Sequence, residues 1–315
     1  MHYPPVNRPF RHRRPPLFGA AAAALLFALY GAAAPLAAAT CVVDDAGREV
    51  CLDAPPERII SLSPHATEQL FAVGAGERIV GTVSHSDYPP EAEAIPRVGG
   101  YNQLDLERIV AKEPDLVVGW QSGNPSAQLE RIEALGVPLY ISEPRGFEDV
   151  ARGLERLGRI TGRAEAGAAA AADFREELAD LAATYAERDP VTLFYQIWER
   201  PLMTVSDAHL IGEAIALCGG DNIFGDSERL APRIDEESVI AADPEAIGAG
   251  GMGEERADWL DDWREYGDLT AVRRDNLFFI PPSVIQRHTP RILEGTRKLC
   301  EVLEEARQRR PDSGD

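Results

Sequence analysis

The sequence predicts an α/β protein of two lobes with mainly parallel sheets, joined by one long backbone helix. Three observations predict it. From Arg58 onward, short apolar runs alternate with amphipathic stretches, the pattern of strand–helix–strand units. A stretch from Ala164 to Arg188, rich in alanine, glutamate and leucine and free of proline until Pro190, interrupts that alternation once. One short sequence pattern then recurs on either side of the interruption.

Residues 1–39 read as a secretory leader outside the fold. Arg8, Arg11, Arg13 and Arg14 make a basic start, an apolar run from Leu17 to Ala34 follows, and Ala37–Ala38–Ala39 offers a small-residue cleavage site. The leader directs the chain to the periplasm. Residues 40–56 read as a small hairpin turning at Asp45–Ala46–Gly47. The first lobe, 57–162, is expected to carry strands at 58–62, 78–82, 116–118 and 139–141, and helices at 66–73, 106–111, 127–135 and 147–160. Residues 163–189 form the backbone helix, with 164–188 spanning about 37 Å at 1.5 Å per residue. The second lobe, 190–308, carries strands at 191–195 and 277–280 and helices at 208–217 and 292–306. Residues 309–315 read as a disordered tail. Each lobe is thus Rossmann-like, and a single stiff helix between them limits how far they close.

The recurring pattern aligns 105–115 with 235–245 without gaps. Aspartate opens both copies, Glu107 matches Glu237, Ile109 and Val110 match Val239 and Ile240, and Pro114 matches Pro244 before an apolar run. This favours a duplicated lobe.

Composition narrows the function. The formal charge is −20, and removing the four leader arginines takes it to −24. Such acidity excludes nucleic acid and anionic lipid as natural partners and suits docking on basic loops of a membrane protein. The four cysteines, Cys41, Cys51, Cys218 and Cys300, read as disulfides in an exported chain. A cross-strand Cys41–Cys51 bridge leaves Cys218 with Cys300, although the spacing alone permits three connectivities.

No catalytic set stands out: there is no Gly-x-Ser-x-Gly elbow, Walker loop or His-Glu-x-x-His helix. His65, His85 and His288 each follow a predicted strand, where α/β lobes face their ligand crevice. Tyr88, Tyr101, Trp120 and Trp198 sit at the same kind of position and suit a large flat ligand. Trp259 and Trp263, at helical spacing, read as core. Gly99–Gly100 and Gly219–Gly220 read as turns or helix ends. Glu107 and Glu237 are ordinary first-turn carboxylates taken singly. As an equivalent pair, they suit arginines on the two halves of a symmetric membrane partner.

Together Pro56–Pro64 with Thr67–Glu68, Ser86–Pro90, Leu106–Ala111 and Pro114–Val117 resemble the helical-backbone periplasmic binding proteins of cobalamin, haem and ferric-siderophore importers. Leu217–Phe224, and Pro290–Arg291 near Leu299–Cys300, are most similar to the cobalamin-binding branch. The resemblance spans about Glu57 to Leu303. It implies Glu107 and Glu237 as docking carboxylates, a Cys218–Cys300 disulfide, and ligand contacts at His85, Tyr101, Trp120 and Met203. The chain departs from that branch at His85 (tyrosine there), Tyr101 (tryptophan), Met203 (phenylalanine) and Ala231 (tryptophan). Its cleft is less aromatic and richer in imidazole, which suits coordination to cobalt or iron.

The resulting expectation is capture of cobalamin or a related corrinoid between the lobes and delivery to an inner-membrane ABC permease dimer with its ATPase. The chain is expected to be monomeric when free, with no cofactor or resident metal and no enzymatic activity. Haem or a ferric siderophore is the alternative, with Arg200, Arg233 and Arg287 as anion partners. A metallo-hydrolase is the reading from another class and requires His65, His85 and His288 to converge on zinc.

Overall fold

The computed structural model of the chain describes residues 1–5, 39–185, 187–250, 254 and 258–311. The leader expected over residues 1–39 lies outside them except at its two ends. No helix among the described residues is long and apolar enough to cross a membrane.

Strands β1 (Thr40–Val43) and β2 (Glu49–Leu52) pair antiparallel, with Cys41 opposite Cys51 and their sulfurs bonded. Gly47, at φ 76°, supplies the left-handed residue of the turn. The Asp44 carboxylate accepts from the backbone N–H groups of Ala46 and Arg48 at 3.0 and 2.8 Å.

The first lobe follows as β3 (Ile59–Ser61), α1 (Pro64–Ala72), β4 (Ile79–Gly81), β5 (Gly99–Gly100), β6 (Gln103–Leu104), α2 (Leu106–Val110), β7 (Leu116–Trp120), α3 (Ser126–Ala134), β8 (Leu139–Ser142) and α4 (Phe147–Ile160). Helix α5 (Ala164–Tyr185) leads to the second lobe: β9 (Val191–Gln196), α6 (Leu210–Leu217), β10 (Gly220–Asn222), α7 (Glu236–Ala242), β11 (Ala246–Ala249), α8 (Thr270–Arg273), β12 (Leu277–Phe279), α9 (Pro282–Ile285) and α10 (Ile292–Gln308). The two main sheets are parallel throughout, in the orders β4-β3-β7-β8 and β10-β9-β11-β12. The orders coincide when β3 is laid on β9, so the lobes share one topology. Strands β3, β8 and β11 are buried along their whole length, as parallel strands covered on both faces must be.

The duplicated segment repeats in detail. Asp105 caps α2 by accepting from the N–H of Arg108 (3.0 Å), and Asp235 caps α7 by accepting from the N–H of Ser238 (2.7 Å). Each helix buries one residue in the core, Ile109 or Val239. Each is followed by a left-handed residue, Glu113 at φ 45° or Asp243 at φ 44°, which turns the chain into the third strand of its sheet.

Helix α5 runs for 22 residues, about 33 Å. It ends at Tyr185 rather than at Arg188, because 187–188 form a turn and a bend ahead of Pro190. Phe174, Ala171 and Leu181 enter an apolar core that continues from the first lobe into the second. Arg175 pairs with Glu148 and Glu155 of α4, and Arg297 of α10 with Glu177. Where α4 and α5 cross, a Cβ on Gly167 would lie 2.8 Å from the Gly158 Cα and 2.6 Å from the Leu154 carbonyl oxygen. Gly167→Ala is therefore expected to force the helices apart at a cost of about 1–3 kcal/mol, read as a lower urea midpoint at unchanged slope.

Four expectations are corrected. Gly99–Gly100 is not a turn: Gly99, at φ 116°, lets β5 pair with β6. Helix α6 begins at Leu210, because the His209 Nδ1 accepts the N–H of Ile211 and caps it. Gly220 opens the edge strand β10, and only Gly219, at φ 68°, marks the helix end. Arg309 and Arg310, assigned to the tail, are held on the lobe. Arg309 donates to the Asp275 carbonyl (2.5 Å), and Arg310 forks onto Glu245 (3.0 and 2.7 Å). Trp263 does pack in the core, donating to Gln196 at 2.8 Å from a short 3₁₀ segment, Asp258–Glu265.

Candidate functional site: the interlobe cleft

A cavity of about 440 Å³ lies between the carboxyl ends of the two sheets. Trp120 closes β7 on one side, and Glu143, Pro144 and Arg145 follow β8. Ile197 and Trp198 follow β9 on the other side, where the Met203 backbone bridges Trp198 and Arg233. The Trp198 indole donates to the Arg200 carbonyl at 3.1 Å, which fixes its ring. The structure thus brings Trp120, Trp198, Met203 and His288 to one cavity, together with Ala231.

Through this lining, and behind it at Tyr101 and His65, runs a chain of rings that crosses from lobe to lobe. Tyr101 leans on Trp120 (centroids 5.6 Å), and Trp120 meets His65 edge-on (5.3 Å). His65 faces His288 (6.2 Å), and His288 faces His209 (5.7 Å). Burial, reinforced by the neighbouring His288, lowers the pKa of His65 and of His209 to about 3. Burial lowers that of His288 as well. The His209 Nδ1 already accepts a backbone N–H, so its neutral tautomer presents Nε2–H as a donor. His209 lines the cavity but was hidden in the sequence inside an expected helix.

These imidazoles refuse protons that the unfolded chain accepts below pH 6.5. The contribution of His65 and His209 is therefore complete above pH 6.5 and lost as pH falls toward 3. The melting temperature is expected to drop as pH is lowered from 7 to 4. A His65→Phe variant should show a shallower drop; parallel profiles would contradict this.

A second set of contacts forms the seam beside the cleft. Arg287 pairs with Glu68 of α1 (2.8 Å) and with Asp87 (2.7 Å), and donates to the His85 carbonyl (3.2 Å). Gln69 donates to the His288 carbonyl (2.8 Å), and the Glu213 carboxylate accepts the Phe147 N–H (2.8 Å). Burial pushes the Glu68 pKa up against the opposing pull of Arg287. Burial also works against Asp87, but there the guanidinium prevails and the pKa is lowered. His85 and Tyr88, expected at the ligand, do not line the interlobe cavity. His85 is held at the seam in a left-handed conformation (φ 65°), and the Tyr88 ring lies under the Arg291 guanidinium at 3.9 Å.

The arginines named as anion partners are placed elsewhere. Arg287 is committed to the seam, Arg200 pairs with Glu199, and Arg233 is exposed off the cavity lining. His65, His85 and His288 do not converge as zinc ligands. Among the described residues, the group whose donor atoms lie within 4.8 Å of one another is Cys41, Glu49 and Cys51, and its sulfurs are already joined. Cys218 and Cys300 are bonded between the end of α6 and α10. Glu107 and Glu237 are exposed on α2 and α7, with no side-chain partner among the described residues.

Comparison with known proteins bears on this geometry. The family described as periplasmic binding protein matches residues 59–284, most of the chain. A vitamin B12-binding protein of Vibrio cholerae serotype O1 is 36% identical over 262 residues, covering 81% of this chain and 91% of that one. The crystal structure of the periplasmic vitamin B12 binding protein BtuF of Vibrio cholerae superposes with a TM-score of 0.74 at 35% identity, over 81% of this chain and 99% of that one. The periplasmic haem-binding protein RhuT from Roseiflexus sp. RS-1 superposes with a TM-score of 0.71 at 26% identity, over 79% and 98%.

Proposed function

The chain belongs to the periplasmic-binding-protein family, and from that premise we propose that it captures cobalamin or a related corrinoid between its lobes for an ABC importer. The observation that carries this reading is the character of the cavity. It lies between a tryptophan of each lobe, its charged lining among the described residues is Glu143 and Arg145, and burial favours the neutral form of its imidazoles, His209 and His288. A corrinoid with amide side chains presents apolar faces and uncharged donors and acceptors at its rim, which such a lining satisfies. Haem and ferric siderophores bring anionic groups; of the arginines named for them, Arg287 is engaged at the seam and Arg200 and Arg233 lie off the lining, which leaves Arg145, with Glu143 on the same lining, to meet an anion.

In this reading Trp120, Trp198 and Met203 contact the ring faces, Tyr101 supports Trp120, and the His209 Nε2–H donates to an amide carbonyl. His65 braces the Trp120 ring from behind, and His288 brings an imidazole toward the ligand metal. The protein binds without chemistry. A stiff α5 and the Arg287 seam make the cleft largely pre-formed, so little closure accompanies binding. Glu107 and Glu237 then engage basic groups on an inner-membrane permease dimer with its ATPase, and the leader places the chain in the periplasm.

Calorimetric titration of the leaderless protein with cyanocobalamin, cobinamide, haemin and a hydroxamate siderophore tests the reading. Cyanocobalamin is expected to bind with a Kd below about 1 μM and haemin far more weakly. The haem-binding relative makes haemin the informative competitor: preference for it would overturn the assignment.

A further inference from the structure

We infer that each lobe presents a composite docking patch, the carboxylate of Glu107 or Glu237 together with the exposed aliphatic side chain of Val110 or Ile240. The inference rests on the docking reading of those glutamates and extends it to the apolar half of the contact. Val110 is 45% exposed and Ile240 38%, and both stand among the few large apolar side chains left exposed by the fold. Val43 (51%) and Leu135 (54%) are also exposed but lie outside the duplicated segment, and four more are accounted for by their surroundings. Tyr101 leans on Trp120, Tyr88 lies under Arg291, and Trp198 and Leu230 line the cleft.

A single exposed valine or isoleucine needs no explanation. Two at the same place in a duplicated element do. Val110 and Ile240 occupy equivalent positions, five residues after the capping aspartate and three after the glutamate. At that spacing they share a helix face with the carboxylate. Each follows directly on the residue that anchors its helix in the core, Ile109 or Val239.

Apart from the small Ala111 and Ala241, which also match, the neighbouring surface positions have diverged between the copies: Leu106 stands against Glu236, Arg108 against Ser238, and Lys112 against Ala242. The carboxylate and the aliphatic neighbour have kept their chemistry in both. The occupant that fits is a membrane partner with two-fold symmetry, offering each lobe a basic group set beside an apolar recess. The chain's net charge of −20 favours its approach to such a basic surface. The aliphatic side chain adds contact that salt does not screen.

The test measures binding of the cyanocobalamin-loaded protein to its permease–ATPase complex in lipid nanodiscs across a range of salt. Val110→Ser and Ile240→Ser are each expected to raise Kd about tenfold and together about a hundredfold, from the burial of one aliphatic side chain apiece. The salt slope should stay as in the parent. Glu107→Ala and Glu237→Ala should raise Kd and flatten that slope. Val110→Ile and Ile240→Val should bind as the parent does, and all variants should bind cyanocobalamin unchanged, which separates docking from folding. If the serine variants dock like the parent while the alanine variants do not, the inference fails and the glutamate reading stands. If neither set alters docking, both fail.

Discussion

Arg287→Ala is expected to lower the unfolding free energy by about 3–5 kcal/mol, the usual cost of stranding one partner of a buried ion pair. Glu68 is the stranded partner. Its side chain is 3% exposed, and its Oε2 has no hydrogen-bond partner even with Arg287 in place. Arg291, at 3.7 Å, is too distant to replace the lost hydrogen bond to Oε1. The pH dependence identifies the cause. Burial already raises the Glu68 pKa, and losing the guanidinium raises it further, so ionised Glu68 penalises the folded state at neutral pH. As pH falls toward the ordinary carboxylate range, Glu68 takes up a proton and the deficit of the variant shrinks. Urea denaturation at pH 7.5 and pH 5 checks this, and Glu68→Gln in the same background should restore most of the loss. A deficit that is independent of pH and unrelieved by Glu68→Gln would point to lost packing instead.

The second large effect concerns Cys218 and Cys300. Serine at both positions is expected to cost about 2–5 kcal/mol. The bridge joins residues 82 apart in sequence, and both cysteines are fully buried. It ties the end of α6 to α10 close to where Arg307 donates to the Cys218 and Gly219 carbonyls (2.8 and 3.1 Å). Those arginine contacts survive the substitution, so the second lobe should still fold but melt earlier. Cyanocobalamin affinity at 25 °C should change little, because neither cysteine lines the cleft. The opposite pattern, with stability unchanged and affinity lost, would mean that the bridge positions cleft residues.

Much of the architecture could be read from local pattern. Helix α4 occupies the expected 147–160, since its apolar spacing is unbroken and Asp149 holds its start by accepting the N–H groups of Arg145 and Gly146. The two aspartate caps announced α2 and α7. Strand β10 could not be read, because Gly220–Asp221–Asn222 carries no apolar run: it pairs with β9 through its backbone and is held by the buried Asn222 side chain, which donates to the Val205 carbonyl. The seam was equally hidden. Arg287 looked like a cleft cation, and only folding brings it to Glu68 and Asp87, separated from it by 219 and 200 residues. That contact also accounts for His85 and Tyr88. Loop residues after a strand need not face the crevice when a neighbouring lobe recruits their backbone. Trp120 and Trp198 were legible because they end or closely follow core strands, where direction is set by the sheet.

The account stands on the cleft between Trp120 and Trp198 being the binding site and being nearly in its final shape. A crystal structure of the leaderless protein with cyanocobalamin tests both points together. The corrin ring should lie between the two tryptophans, with His209 within hydrogen-bond distance of a side-chain amide. The lobes should shift by no more than about 1 Å in Cα position. A corrin ring bound outside this cleft, or a complex in which α5 bends and the Arg287–Glu68 pair separates, would contradict the account.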